Sequence, residues 1–240
     1  MVVGRRRRIV IEVSRTFAAY LRTIYNLQED GVPVLRARLC ERLGQAGPTV
    51  TQTVNRLASS GLLAVNGASP LALSQTGLDA AIVVTRRHRL AERLMTDVLD
   101  LPTQLAHAEA ARWEYSMGPD VERAIVNQLD DPTLSPWGIP IPGLDQLGVE
   151  ARTLAPATRL KDLPRTKRPV IATVRSVSED TQDDRERLTE LINAGIIPGA
   201  QISITATADS IEVRGLNTMV LSPRRSHSIQ IDLSPTAATS

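Results

Sequence analysis

The sequence lacks the features that mark several large classes of protein. It contains a single cysteine, Cys40, which excludes an internal disulfide framework and favours a reducing compartment. No apolar stretch approaches the roughly 18 to 20 residues that a membrane-spanning helix needs. The HExxH zinc motif, the glycine-rich phosphate loop and the GxSxG nucleophile elbow of common enzyme families are also missing. These absences favour a cytoplasmic protein that has no membrane partner and no recognisable catalytic residue.

Positive charge is concentrated near the start of the chain. Residues 1 to 60 carry ten arginines and four acidic residues, a net charge of +6. Residues 101 to 240 carry 14 basic and 18 acidic residues, a net charge of −4. A local concentration of arginine is what neutralisation of nucleic-acid phosphates requires. The run Arg5 to Arg8 is either a flexible arm that reaches DNA or a disordered tail.

A winged helix-turn-helix pattern lies within residues 34 to 73. Gly44 interrupts the helical spacing, and Pro48 suits the first turn of a second helix because its missing N–H is not needed there. Two short apolar runs on either side of Asn66-Gly67 predict the hairpin of a wing. The expected buried stripes are Leu35, Leu39 and Leu43 on the first helix, and Val50, Val54 and Leu57 on the second.

The second of these helices has a polar face that suits the major groove of DNA. Its side chains are short or forked hydrogen-bond formers without a carboxylate among them. Gln52 is the first candidate for base readout, because a glutamine amide can pair bidentately with adenine. The alternative is an ordinary helical hairpin with a solvated face. The expected polar face is Thr49, Gln52, Thr53, Asn55 and Arg56, and the expected DNA-binding residues are Arg36, Arg38, Arg42, Pro48, Thr49, Thr51, Gln52 and Arg56.

Helical patterns continue to the middle of the chain and then give way to strand patterns. The predicted fold class is therefore mainly α with a small β domain. A β-rich segment of about 65 residues near the end favours an SH3-like barrel. Helices are expected at about residues 14–28, 76–99, 104–117, 120–129 and 183–193, and strands at 170–174, 201–205, 211–213 and 229–233.

Several stretches resemble the DtxR family of iron- and manganese-dependent bacterial repressors, in its three-domain actinobacterial form. They cover roughly residues 16 to 149 in order, and the last third fits the family's SH3-like domain more loosely. The resemblance implies a cytoplasmic homodimer that binds a palindromic operator in double-stranded DNA. The matching stretches are YLRTIY at 20–25, LRAR at 35–38, GPTV at 47–50, QTV at 52–54, RHRLAER at 87–93, AARWE at 110–114 and SPWGIPIPGLD at 135–145.

With the resemblance, the chain divides into three expected domains. The middle domain is expected to serve dimerisation and metal binding. The expected divisions are a winged helix-turn-helix domain with a basic N-terminal arm at 1–82, a helical dimerisation and metal-binding domain at 83–149, a linker at 150–168, an SH3-like domain at 169–233 and a disordered tail at 234–240.

The resemblance implies two metal sites, and the chain retains the residues of the ancillary one. His88 and Glu92, four residues apart on one helix face, would be joined by His107 from the next helix. Imidazole and carboxylate donors suit Fe²⁺, Mn²⁺, Co²⁺ or Zn²⁺. From the third domain, Asp184 falls near the family's glutamate, whereas Arg187 falls at its glutamine and cannot bind a metal. Glu179, Asp180 and Asp183 are nearby alternatives. A surface ion pair is the alternative for His88 and Glu92.

The family's primary, regulatory site has lost most of its ligands in this chain. Its cysteine, glutamate and histidine correspond to Ala111, Glu114 and Tyr115, and its methionine corresponds to Ala19. Glu114 alone leaves too few ligands for a divalent metal. The resemblance therefore implies a regulator, most simply a repressor, that either needs no metal or is controlled by metal at the ancillary site alone.

Two other functions stay open on the sequence. Loss of the primary site is compatible with a regulator that responds to a ligand other than a metal. A metal-assisted hydrolase could use the same His88, Glu92 and His107. No general base outside that ligand set is recognisable, so the expectation is that the chain is not an enzyme.

Overall fold

The structure, a computed structural model, describes residues 13–64, 70–166 and 168–233 of the chain. The arginine run at residues 5–8, the turn signal Asn66-Gly67 and the tail at 234–240 lie outside the described residues. Within the described ranges, no helix is both long enough and apolar enough to cross a membrane.

Contacts within the chain define two units. The first comprises the chain up to Thr85 together with Glu114–Ser116. The second comprises Arg86–Trp113 and the chain from Met117 onward, so it includes both the middle helices and the β-rich end.

The helices of the first unit begin and end at local sequence signals. The Ser14 hydroxyl accepts a hydrogen bond from the Phe17 backbone N–H at 3.3 Å and caps the first helix. Gly44 adopts a left-handed conformation at the end of the second helix, and Pro48 lies in the first turn of the third, as expected. These helices are α1 (Arg15–Glu29), α2 (Arg36–Leu43), α3 (Gly47–Ser59) and α4 (Gln75–Arg93), the last of which ends in the second unit.

The core of the first unit contains most of the expected apolar stripe residues. Val50, Val54 and Leu57 of α3 are all buried. Leu35 is an exception, because it precedes α2 as its cap residue and is 38% exposed. The expected stripe on α2 is therefore narrower than its sequence suggests, with Leu39 as its fully buried member.

Tyr20 links α1 to the helix-turn-helix. Its side chain is fully buried, and its hydroxyl donates a hydrogen bond to Gln45 Oε1 at 2.6 Å. Burial is the main cause that raises the pKa of Tyr20, and a hydrogen bond with Thr53 opposes the increase. Thr53 is thus buried against Tyr20, which corrects the expectation that it lies on the outer polar face of α3.

The described part of the wing is a minimal hairpin. Leu63 and Leu73 form an isolated antiparallel bridge, and the Ala64 N–H donates to the Ala72 carbonyl at 2.9 Å. Gly77 lets the first turn of α4 approach this hairpin, because a Cβ there would lie 1.9 Å from the carbonyl oxygen of Leu62.

The helical part of the second unit differs from expectation at one helix end. The helix expected at 104–117 ends at Trp113, because Glu114–Ser116 form a turn and Gly118-Pro119 starts a new helix. A π-helical turn, Leu94–Val98, follows α4. The two further helices are α5 (Thr103–Trp113) and α6 (Pro119–Gln128).

The β-rich part of the second unit is an antiparallel sheet. In the described residues it has six strands in the order β1-β6-β2-β3-β4-β5. Exposed or half-buried residues alternate with buried ones along β3, as in a sheet with one face on a core. The strands are β1 (Thr158–Arg159), β2 (Val170–Val177), β3 (Gln201–Ala206), β4 (Ile211–Arg214), β5 (Thr218–Leu221) and β6 (Ile229–Leu233), and the helices between them are α7 (Glu179–Gln182), α8 (Arg185–Ala194) and α9 (Pro223–Ser226).

The sheet begins earlier in the chain than the expected linker allows. β1 pairs with β6, with Thr158 opposite Ile231. Leu160 and Leu163, both inside the expected linker at 150–168, are buried in the core of the sheet. Part of that segment therefore belongs to the β-rich domain.

The proline-rich segment after α6 packs on the same sheet. Trp137 is 2% exposed and belongs to the sheet's core, and its carbonyl accepts a hydrogen bond from the Val177 N–H at 3.0 Å. Gly138 has a φ of +75°, and a Cβ there would lie 2.1 Å from the Arg175 carbonyl oxygen. The segment around Trp137, which the sequence places in the middle domain, thus packs against the core of the β-rich domain.

We expect Gly138→Ala to destabilise the second unit by about 2–4 kcal/mol, because it adds overpacking to the strain of a positive φ. Gly199 is a matched control, since its φ is +85° but nothing lies within 4 Å of a Cβ there. Gly199→Ala should cost only the backbone strain, about 1–2 kcal/mol. Urea unfolding of both variants measures the difference, and equal losses would show that the contact with Arg175 is unimportant.

Candidate metal centre and DNA-binding face

Three side chains from α4 and α5 converge in the second unit. His88 Nε2 lies 2.9 Å from His107 Nδ1 and 3.2 Å from Glu92 Oε1. His107 Nδ1 lies 2.8 Å from the same Glu92 oxygen. All three side chains are buried. Among the described residues, this is the group of three His, Cys, Asp or Glu residues whose ligand atoms come together closely enough to hold a metal ion.

The donor atoms of this cluster suit a cation. Burial acts to raise the pKa of Glu92, but the charge and hydrogen bonds of His88 and His107 outweigh it and lower the pKa to about 2. Glu92 is therefore ionised at neutral pH. Its second oxygen, Oε2, is buried without a hydrogen-bond partner. A buried acceptor left unsatisfied is costly, and a divalent ion would satisfy it. Two imidazoles and a carboxylate fit Fe²⁺, Mn²⁺, Co²⁺ or Zn²⁺.

Asp184, the expected ligand from the third domain, does not belong to this cluster. Its Oδ1 accepts a hydrogen bond from the Arg187 backbone N–H at 3.0 Å and caps α8. The preceding residue, Asp183, contacts the cluster instead, with its Oδ1 3.2 Å from His107 Nε2. Asp184 therefore caps α8 in this structure, and its assignment as a metal ligand stays a prediction.

The glutamate and glutamine that the resemblance implies are better matched by Glu179 and Gln182. Glu179 is buried and its Oε1 lies 2.8 Å from Arg89 Nε, next to His88 in α4. Gln182 is also buried, and its Oε1 has no hydrogen-bond partner. The two residues have the three-residue spacing that was assigned to Asp184 and Arg187. This spacing is visible in the sequence, but no motif there shows which residues of the third domain correspond to the family's glutamate and glutamine.

Glu114, the remaining residue of the primary site, lies in the first unit and is paired with an arginine. Its side chain is 3% exposed, and its Oε2 lies 3.0 Å from Arg22 Nε. The neighbouring Tyr115 is exposed, and the Arg15 guanidinium carbon lies 5.6 Å from its ring centroid. Arg15 and Arg22 are not among the site residues that the sequence predicts.

The structure exposes most of the expected DNA-binding residues on α2 and α3. Arg38 is exposed and forms an ion pair with Glu41 at 2.9 Å, whereas Arg36 and Arg42 are half-buried. Arg56 is exposed, and its guanidinium lies 5.4 Å from the ring centroid of Phe17. The exposed residues at the start of α3 are Pro48, Thr49, Thr51 and Gln52.

These features define a class of protein: a winged-helix unit with an exposed polar helix, followed by helices with a histidine–glutamate cluster and a small sheet. Three family models match the chain in that order. They are the N-terminal DNA-binding domain of iron-dependent repressors at residues 12–70, their metal-binding and dimerisation domain at 74–143, and the SH3 domain of the diphtheria toxin repressor at 155–233.

Known relatives match over most of the chain. The iron-dependent repressor IdeR of Mycobacterium tuberculosis is 44% identical over 227 residues, which are 92% of this chain and 98% of that protein. The diphtheria toxin repressor of Corynebacterium diphtheriae is 45% identical over 190 residues, 79% of this chain and 84% of that protein. A solved manganese-dependent transcriptional repressor in complex with manganese has a TM-score of 0.73 at 26% identity, with 90% of this chain and 99% of that one covered.

The chain therefore belongs to the DtxR family of iron-dependent repressors. It is a DNA-binding transcriptional regulator that forms dimers, and it is not an enzyme. The expected fold class, with a winged helix-turn-helix, a helical middle domain and an SH3-like domain, is confirmed.

We expect Glu92 to make a pH-dependent contribution to the stability of the metal-free protein. Its pKa is lowered from 4.5 to about 2 in the folded chain. The contribution is therefore fully present above the unfolded pKa and is lost as the pH falls toward the folded one. In chelator, the free energy of urea unfolding of the wild type should fall more steeply between about pH 5 and 3 than that of Glu92→Gln.

A matched control for this comparison is Glu109→Gln. It removes an exposed carboxylate that pairs with Arg112, and it should keep the wild-type slope because exposed pairs contribute little. Equal slopes for Glu92→Gln and the wild type would contradict the lowered pKa of Glu92.

Proposed function

We propose that this repressor binds one divalent transition metal per chain through His88, Glu92 and His107, and that metal at this centre alone adjusts its activity. The convergence of three buried donor atoms with an unsatisfied Glu92 oxygen is the observation that carries the proposal. A bound metal would link α4 to α5, because His88 and Glu92 lie on α4 and His107 lies on α5. The names of the relatives point to Fe²⁺ or Mn²⁺, and both suit this donor set.

Asp183 has a positioning role at this centre. Its carboxylate accepts a hydrogen bond from His107 Nε2 when that nitrogen carries the proton, which leaves Nδ1 as the ligand atom. A carboxylate behind a histidine ligand fixes both the tautomer and the ring orientation. Because Asp183 lies between α7 and α8, it connects the β-rich domain to the centre.

Glu179 and Gln182 are the further candidates from that domain. Gln182 lies in the chain between Glu179, which contacts Arg89, and Asp183, which contacts His107. Its unsatisfied Oε1 is a suitable oxygen donor for a divalent ion. Glu179 pairs with Arg89 through Oε1, so Oε2 is the oxygen that it would offer to a metal.

The DNA-binding function resides on α2 and α3. We propose that α3 enters the major groove of a palindromic operator in the cytoplasm, with one such helix from each chain of the homodimer. Gln52 and the threonines Thr49 and Thr51 are exposed where they can reach base edges. Arg36, Arg38, Arg42 and Arg56 supply charge for phosphates.

The metal centre is tested by Co²⁺ titration, followed by its d–d absorption, on metal-stripped protein. His88→Ala should abolish tight binding, and Asp183→Ala should weaken it by about 10- to 100-fold because an outer-shell partner of a ligand is lost. Asp184→Ala is the matched control: it removes a helix cap but should leave Co²⁺ affinity unchanged. Undiminished binding by His88→Ala would overturn the centre, and weaker binding by Asp184→Ala alone would show that Asp184, not Asp183, supports the metal.

The DNA-binding face is tested on duplexes selected from random DNA with the wild-type protein. Gln52→Ala should reduce discrimination at one base position by about 1–3 kcal/mol. Arg38→Ala should weaken binding to all sequences alike and reduce the salt slope by about 1. Arg38 is a sharper probe than Arg36 because Arg36 is half-buried and its loss also disturbs packing. If both variants changed only non-specific affinity, the assignment of Gln52 to base readout would be wrong.

A further inference from the structure

Glu114 has an almost fully buried carboxylate that pairs with an arginine of the same chain. It lies in the turn Glu114–Ser116, which follows α5 and belongs to the first unit. Its Oε2 is 3.0 Å from Nε of Arg22, and the two side chains are 3% and 12% exposed. A buried charge is tolerated only with a partner of opposite charge, so this ion pair is a condition for burying Glu114.

The other side chains that correspond to the primary site's ligands supply no cation-binding group. Ala19 and Ala111 have no donor atom, and Tyr115 carries a phenol that rarely ionises near neutral pH. The carboxylate that would have been neutralised by a metal is neutralised here by a guanidinium, which keeps its charge at all physiological pH values.

A second arginine from α1 contacts the same turn. The Arg15 guanidinium carbon is 5.6 Å from the ring centroid of Tyr115, within the range of a cation–π interaction. Arg15 and Arg22 are seven residues apart, about two helical turns, so they share a face of α1. Two adjacent residues of the turn, Glu114 and Tyr115, are thus each held by an arginine from that face.

We propose that these two contacts form an arginine clamp, Arg22–Glu114 and Arg15–Tyr115, that holds α1 against the turn and replaces a metal ion at this position. The clamp is permanent because neither a metal nor a change in pH within the physiological range removes the charge of an arginine. The position of α1 is therefore set without metal. The clamp does not depend on metal binding at His88, Glu92 and His107.

Hydrogen exchange in the amides of α1, measured on the full-length protein in excess chelator, tests the clamp. Wild-type α1 should be protected in chelator, and addition of Mn²⁺ should leave its exchange unchanged. Glu114→Gln should increase α1 exchange and weaken binding to a selected DNA duplex, each by about tenfold, while chelator is still present. Glu114→Gln is the informative variant because it leaves no buried carboxylate unpaired.

Two further variants complete the experiment. Arg22→Gln combined with Glu114→Gln removes both charges, and it should show the same loss of α1 protection. Arg214→Gln, which breaks the exposed pair with Glu212, should behave as the wild type. The clamp is overturned if Glu114→Gln keeps wild-type exchange and DNA affinity in chelator, or if wild-type α1 becomes protected only after Mn²⁺ is added.

Metal content separates this inference from the proposed metal centre. Glu114→Gln should bind as much Co²⁺ per chain as the wild type, whereas His88→Ala should bind none. A loss of bound Co²⁺ in Glu114→Gln would show a metal at Glu114 and would overturn the clamp. Wild-type Co²⁺ binding by His88→Ala would instead refute the centre at His88 and leave the clamp intact.

Discussion

Burial of charged side chains along the last two turns of α4 is the constraint on which the second unit depends. Arg86 and Arg89 are 4% and 0% exposed, so each requires an acidic partner. Arg86 Nε lies 2.6 Å from Glu122 Oε2, and Arg89 Nε lies 2.8 Å from Glu179 Oε1. Removal of one partner from a buried pair costs about 3–5 kcal/mol. These pairs therefore fix α6 and α7 relative to α4, far more strongly than surface ion pairs would.

Two of the candidate metal ligands lie on the same helix, and the buried ion pairs hold that helix in place before a metal binds. His88 and Glu92 share a face of α4 because they are four residues apart. Arg89, between them in sequence, pairs with Glu179 in the β-rich domain, and that domain also supplies Asp183 to His107. The ligand atoms are thus held by contacts that do not involve a metal. Such preorganisation lowers the cost of ordering ligands when an ion binds.

Local patterns allowed much of this structure to be predicted, and non-local contacts account for most of the errors. The position of Pro48 in the first turn of α3 and the pairing of His88 with Glu92 depend on spacing within one helix. The burial of Leu160 was missed because it depends on a strand, Thr158–Arg159, that pairs with residues some 70 positions later in the chain. The third-domain ligands were expected at Asp184 and Arg187, whereas we propose Glu179 and Gln182, five residues earlier. No local motif in the sequence fixes this register.

The two sites differ in how their charge is balanced, and this difference decides which of them can respond to a metal. At Glu92 one buried oxygen has no hydrogen-bond partner, and a bound metal ion would satisfy it. At Glu114 the arginine of α1 already provides the opposite charge. A metal can shift an equilibrium only between states that bind it with different affinity. In this chain such a difference in metal affinity can arise in the second unit, at His88, Glu92 and His107. In contrast, α1 is held by side chains whose charge does not vary with metal supply. Metal would then modulate the arrangement of α4, α5 and the β-rich domain without being needed to form the DNA-binding unit.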